Sequence, residues 1–352
     1  MIIGGGSTVS NQRLTSQHTK LAIIGGIRAA LLAGGNATKI ELSQKLAISF
    51  PTISKFLALM ESKGEVVSVG LDSSSGGRRA ERYSYNPNYM LGLAIILEKN
   101  ETNYTVFNCL GDVIEQGSTD SILVEEVSHL ISFIKSKKNS HPTIHTVSIG
   151  VPGAVDNGKA FYIQGYEHYQ NVDLKQLVEE QLSIATVVEN DMNAAVIGYM
   201  AQQKPSEDIS LFYLYLGQNG PGAGIVVNGR IVRGKTFFSG EVQFIPQYNE
   251  QNFLEALMSE DDEATTTAHI DKRIDAISRL VGSVTSILNP HCFIVCEEEI
   301  DTSMLHQITE RSAVYVPREH LPQLAASNLK GDYLIGLQSL GLSELMSQRI
   351  ED

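Results

Sequence analysis

Apolar residues recur at helical spacing along Lys20–Leu32, and the run ends at Gly34, Gly35 and Asn36, which predicts one helix with a glycine stop. A second, shorter helix fits Lys39–Ile48. The stretch SFPTISKFLALMESKG predicts a third, with Ser49 placed to cap it and Pro51 tolerated in its first turn. Ile53, Leu57 and Met60 form its one apolar stripe, up to Gly64. The period then changes to alternation. EVVSVGLDSSSGGRRAERYSYNP predicts a hairpin around a Ser/Gly loop that ends in Arg78 and Arg79, with Arg82 just beyond.

After Pro87 the pattern becomes alternating strands and helices. Strands are predicted at Leu91–Leu97, Tyr104–Asn108 and Val113–Gln116, then a helix at Val124–Lys137 and a strand at Ile144–Ile149. Helix Leu174–Leu182, strand Thr186–Glu189 and helix Asn193–Ala201 follow. Strands at Ser210–Leu216 and Gly224–Val227 come next, and a long amphipathic helix, IDAISRLVGSVTSIL, leads into the apolar run CFIVC. This is an α/β pattern. Three strands before the first long helix, repeated later, predict two related lobes facing a cleft.

Charge divides the chain at the same place. Residues 1–90 hold ten Lys and Arg against five Asp and Glu, a balance of +5, while the remaining 262 hold 17 against 35, a balance of −18. A basic head on an acidic body points to a polyanion that meets the head alone. No apolar run reaches the roughly 18 residues of a membrane helix. The start MIIGGGSTVSNQRLTSQ has no charged n-region or apolar core of a signal peptide, so it reads as a flexible arm on a cytoplasmic protein. Cys109, Cys292 and Cys296 form no C-x-x-C pair and no zinc spacing, and read as buried thiols, with no metal expected.

Three helices with a tight turn before the third, followed by a hairpin, outline a winged helix-turn-helix. Its third helix would enter the major groove with Ser49, Thr52, Ser54 and Lys55 toward DNA, while Arg78, Arg79 and Arg82 of the wing reach the backbone or minor groove. The bland alternative is a helical protein-interaction module whose arginines only solvate a turn. In the body, SIGVPGAVD (Ser148–Asp156) and LGQNGPGAGIVVNGRIVRG (Leu216–Gly234) place glycine-rich loops after strands. Open α/β sheets bind ligands at such loops, and the second could cradle phosphate or form only a tight turn. Asn190 and Asp191 sit at a strand-to-helix junction that also suits a cap.

GVPGAVD, VVENDMNAAVIG, GPGAGIVVNGRIVRG, SGEV and SILNPHCFIV, in that order, resemble the ROK family of repressors and sugar kinases. The head resembles the winged helix of its repressor branch, related to N-acetylglucosamine and xylose repressors. The resemblance implies an actin-like, two-lobed sugar kinase (ribonuclease H-like) body behind an N-terminal winged helix-turn-helix. It divides the chain into a DNA-binding domain at 1–88, a first lobe at 89–190 plus 335–352, and a second lobe at 191–334. Gly153, Asn190, Asp191 and Glu241 fall on the family's sugar-binding positions, and Asp191 on the catalytic base of the kinases. Carboxylates and an amide suit vicinal hydroxyls.

The departures from that pattern are equally specific. Phe244 stands where the family has a histidine that contacts sugar and zinc, and the cysteine-rich zinc loop is replaced by IPQYNEQNFLEALMSEDDEA. Gly165 falls nearest a lost asparagine before NVDL. The first phosphate loop is replaced by LAIILEKNETNY, without glycine and with Glu98 and Glu101. The second carries Pro221 and one extra residue, and Cys296 and Glu297 replace the glycines that receive adenosine. Without a phosphoryl donor a general base has nothing to deprotonate for. The sequence therefore reads as a non-enzymatic regulator with no cofactor. Its expected partners are double-stranded operator DNA, a sugar or sugar-derivative effector and a second copy of itself, with no membrane. A body that only dimerises or docks a regulatory protein is the alternative, and an active sugar kinase a further one.

Overall fold

The computed structural model describes residues 7–71, 79–163, 165–203, 208–217, 220–248, 250–258 and 267–347. The head comprises α1 (Ser7–Gly34), β1 (Ala37–Thr38), α2 (Lys39–Leu46), α3 (Phe50–Ser62), β2 (Val66–Leu71) and β3 (Glu81–Tyr85). Thr38 and Glu41 form a reciprocal capping box that starts α2, and Ala47 in the left-handed region ends it, so the turn into α3 is tight. Ile27, Leu31, Leu42, Ile53, Leu57 and Met60 are buried in one cluster, as the helical spacing predicts. The strands pair antiparallel in the order β1-β3-β2.

Two expectations change here. The first helix begins at Ser7 rather than Lys20, so most of the expected arm is helical. Residues 7–19 contain no Gly or Pro to break a helix, and their polar character gives no apolar period to read. Ser49 occupies the cap position of α3, but its hydroxyl meets Thr52 Oγ1 at 2.8 Å instead of a backbone amide.

The body follows with β4 (Leu91–Leu97), β5 (Glu101–Asn108), β6 (Val113–Asp120), α4 (Val127–Ser140) and β7 (Ile144–Val151). A small antiparallel sheet, β8 (Ala154–Asp156), β9 (Lys159–Tyr162) and β10 (Val172–Asp173), precedes α5 (Leu174–Leu182), β11 (Ala185–Asn190) and α6 (Asp191–Gln202). The second half holds β12 (Leu211–Tyr215), β13 (Gly222–Val227), β14 (Arg230–Ile231), α7 (Phe253–Leu257), α8 (Thr267–Leu288) and β15 (Cys292–Cys296). It closes with α9 (Thr302–Ser312), β16 (Gln323–Ser327) and α10 (Leu329–Ser347).

The two five-stranded sheets repeat one topology. Their orders are β11-β7-β4-β5-β6 and β14-β13-β12-β15-β16. In each, the first three strands run antiparallel and the last two join parallel to the first. Strand alternation then builds layers. Leu91, Leu93, Ile95 and Leu97 of β4 face an outer core, while Ala94 and Ile96 face an inner one. Phe293 and Val295 of β15 face a third core, and Cys292 and Ile294 turn to the same inner one. The inner core holds buried residues of α6 and α10.

Those two helices cross at equivalent glycines. A Cβ on Gly198 would lie 1.8 Å from Asp332 O, and one on Gly336 would lie 1.8 Å from Ala194 O. Each glycine faces the carbonyl four residues before the other, which is the signature of a local two-fold axis. Beside the crossing, the buried Asp332 carboxylate accepts from Ser327 Oγ (2.6 Å), Gln202 Nε2 (2.7 Å) and Tyr213 Oη (2.8 Å). The inner core continues into the head through Tyr85, Met90 and Cys109. The Cys109 thiol donates to Met90 O at 3.2 Å, and burial raises its pKa. At the head's edge of this seam the buried Arg28 guanidinium pairs with Glu65.

Candidate functional site

Strand β11 ends at Asn190, whose extended backbone makes it the cap of α6. Its Oδ1 accepts from Asn193 N at 3.0 Å, and its Nδ2 donates to Gly153 O at 3.0 Å and to Asp191 Oδ1 at 2.8 Å. Met192 N also donates to Asp191 Oδ1, at 2.7 Å. The three residues expected at a sugar on this side, Gly153, Asn190 and Asp191, are thus joined by hydrogen bonds. Asn190 is a cap, and that same cap aims its amide at the Gly153 loop.

In the second half of the body, Gly240 takes φ 97° where a Cβ would meet Ala223 O, and this turn delivers Glu241. Gln243 Nε2 donates to Glu241 Oε2 at 3.0 Å. Burial, then the negative charges of Glu241 and Glu98, push the Asp191 carboxyl up to about 6. Two carboxyls and an amide can bind hydroxyls with geometric selectivity.

Sequence reasoning passed over Glu189, one residue before the cap. It is 4% exposed, accepts from Asn190 N and Asn193 Nδ2, each at 3.0 Å, and forms an ion pair with Arg233 from the loop after β14. No local pattern links residues 44 apart. Phe244 is exposed and stacks on exposed Phe238, with ring centroids 5.4 Å apart. Gly165 lines a cavity of about 470 Å³ with Lys99, Tyr166 and His168. Among the described residues, no group of three or more His, Cys, Asp or Glu converges on a metal position.

On the loop after β12 a side chain of the chain itself takes the backbone donors. Glu299 Oε2 accepts from Leu216 N at 2.8 Å and Oε1 from Gly217 N at 3.0 Å, so one carboxylate takes both first amides of the loop expected to cradle phosphate. Burial raises the Glu299 pKa, against the pull of those amides. The glycines of that loop serve packing: a Cβ on Gly224 would lie 2.2 Å from Met192 O. Gln218 and Asn219, at the middle of the loop, lie outside the described residues. Glu101 pairs with Lys330 at 2.8 Å, and burial raises the pKa of Glu98 beside it. At Gly150, in the first of the two glycine-rich stretches, the space belongs to Tyr333 of α10, whose Oη would sit 2.1 Å from a Cβ there.

On the head, Lys55 and Phe50 are exposed on α3 and Thr52 is partly so. The Ser54 hydroxyl is buried without a hydrogen-bond partner among the described residues, contrary to the outward orientation expected. Its place on the inner flank of α3, one residue after buried Ile53, accounts for this. Arg79 is exposed. Arg82 lies against α2, with Nε donating to Asn36 Oδ1 at 2.7 Å and Nη2 pairing with Glu41 at 3.1 Å. Arg78 lies outside the described residues.

Residues 113–251 match the model of the ROK family. The chain is 25% identical over 243 residues to the xylose repressor of Caldicellulosiruptor bescii (strain ATCC BAA-1888 / DSM 6725 / KCTC 15123 / Z-1320), covering 66% of this chain and 60% of that protein. It is 23% identical over 256 residues to the DNA-binding transcriptional dual regulator NagC of Escherichia coli (strain K12), covering 70% and 61%. The chain thus spans about three fifths of the length of these curated relatives. A ROK family transcriptional regulator described as a homolog of E. coli MLC protein shares its fold, with a TM-score of 0.66 at 17% identity over 94% of this chain and 99% of that one. The ROK hexokinase of Thermus thermophilus gives 0.60 at 15% identity over 73% and 99%. At such identities these structures speak for the fold alone.

Proposed function

We propose that this chain, which carries a ROK family domain, is a DNA-binding transcriptional regulator: a repressor of carbohydrate-utilisation genes whose kinase-like body senses a sugar or sugar derivative and catalyses nothing. Residues 1–88 act as a winged helix-turn-helix on duplex operator DNA, through Ser49, Thr52, Lys55, Arg78, Arg79 and Arg82, with Ser54 supporting α3 from within. Residues 89–190 with 335–352 form the first lobe and 191–334 the second. The effector lies between them on Gly153, Asn190, Asp191 and Glu241. A two-fold operator calls for two heads, so the working form is a homodimer or larger. Sugar binding favours one angle between the lobes, and DNA release follows from the difference in affinity between the two conformations.

The observation that carries this reading is the contrast inside one cleft. Gly153, Asn190 and Asp191 are joined by hydrogen bonds, while the Leu216 and Gly217 amides of the loop expected to take phosphate are held by Glu299. With no phosphoryl donor in line, Asp191 holds ligand and abstracts no proton. The repressor relatives support the same reading. A second reading, in which the body docks a protein instead of sugar, draws on the exposed Phe238–Phe244 pair beside Glu241. A gel shift with the DNA upstream of the chain's own gene, with and without pentoses, hexoses and their phosphates, tests the proposal. Retardation that a sugar changes supports it; none under any condition counts against it.

A further inference from the structure

Two contacts join the two halves of the body beside the proposed effector residues. Arg233, from the half built on the second sheet, pairs with Glu189 on β11 of the first. Phe237 packs edge-on against Phe161 of β9, with centroids 5.5 Å apart. Phe237 holds φ 58°, a backbone region that bulky side chains rarely enter, so its surroundings must over-determine it. Glu189 is the pivot of the first contact. Its buried carboxylate also accepts from the backbone amide of Asn190 and the side chain of Asn193, and so fixes the first turn of α6 from behind.

We propose that Arg233 is a positioning residue for the effector: by clamping Glu189 across the cleft, it holds the Asn190–Asp191 turn opposite Glu241. This rests on the sugar-sensing reading above and adds to it a residue that needs no contact with ligand. Glu189 without its cation would keep a buried charge with amide donors alone, and the turn would relax toward other side-chain partners. Arg233 is 41% exposed, so salt reaches the pair and weakens it.

The test uses the full chain and its Arg233→Ala and Arg233→Lys variants. Hydrogen exchange read at Met192 and Asn193 should speed up about tenfold in Arg233→Ala and return most of the way in Arg233→Lys, with the head unchanged. Calorimetry with neutral pentoses and hexoses should give a dissociation constant about tenfold higher for Arg233→Ala. Affinity of the unaltered chain for a neutral sugar should fall with added salt, and that dependence should vanish in Arg233→Ala, which a merely structural role would not produce. Unchanged exchange in Arg233→Ala overturns the clamp, as does an unchanged sugar affinity. Exchange that responds while the unaltered chain takes up no sugar leaves the clamp standing and removes the sugar-sensing reading instead.

Discussion

Asp191 and Glu299 are both half-buried carboxyls whose pKa burial raises, one at the start of α6 and the other after β15. Asp191 gathers its two hydrogen bonds on Oδ1, from Met192 N and Asn190, at the start of a helix. Glu299 sets one oxygen on each of two neighbouring loop amides, an arrangement an anionic ligand would otherwise take. The scaffolds beneath are alike: the same sheet order twice, and helices α6 and α10 meeting glycine to glycine. A duplicated frame can therefore carry two unlike carboxyls, one capping turn with free acceptor capacity and one spent on the loop amides beside it.

The frame itself is the most easily broken part. Gly198→Val and Gly336→Val each drive a side chain into a backbone carbonyl. Both should cost about 3 kcal/mol or more, and to a similar extent, in chemical denaturation. A large difference between them would mean that the two-fold relation at the crossing is only geometric. The next largest effect concerns Asp191→Asn, which removes a charge-assisted acceptor and should weaken sugar binding by about 2 kcal/mol in calorimetry. The same variant has a pH signature. With a folded pKa near 6 against about 3.9 unfolded, the folded state keeps a proton that the unfolded state has lost. The contribution of this carboxyl to stability is thus fully present below about pH 4 and is lost as pH rises through 6, by about 2 kcal/mol after allowance for partial exposure. Asp191→Asn should flatten that slope and be the more stable protein at pH 7.

Strands β4 and β15 and helix α5 were legible to the residue, because unbroken apolar runs and clear amphipathic spacing leave little choice of boundary. Helix α10 was not. Its sequence LKGDYLIGLQSLGLSELM is apolar on several faces, since α6, the first sheet and the head all pack on it, and so it shows no single stripe. Of its three glycines, 331, 336 and 341, Gly336 exists for the helix crossing. The Asn190–Asp191 corner was legible from its motif. Glu189 and Glu299 were not, for each acts on partners 44 and 82 or 83 residues away. Ser54 misled because a small polar residue fits a DNA face and a tight helix flank equally well.

The closed half of the cleft allows a subtler trial. Glu299→Gln leaves one oxygen for two amides and turns its own NH2 toward the other, which should cost about 1–2 kcal/mol of stability. Sugar affinity should stay within about twofold, because the effector residues lie in the other half. ATP should still not be consumed in the presence of any hexose, since Glu98 and Glu101 continue to repel phosphate. ATP turnover by the unaltered chain would end the contrast between the halves altogether.

The smallest effect lies farthest from the cleft and checks whether the head reads DNA at all. Lys55 is exposed on α3 and Arg79 is exposed just before β3. Each, replaced by alanine, should weaken duplex binding to any sequence and lower the slope of log affinity against log salt by about 1. Arg82 already pairs with Glu41 and Asn36, so Arg82→Ala should lower that slope by less. Equal slopes for all three would place Arg82 on phosphate in the bound state, its contact with Glu41 exchanged for one with DNA. Unchanged slopes for all three would make the head a protein-interaction module and leave the Asn190–Asp191 corner to regulate something other than DNA.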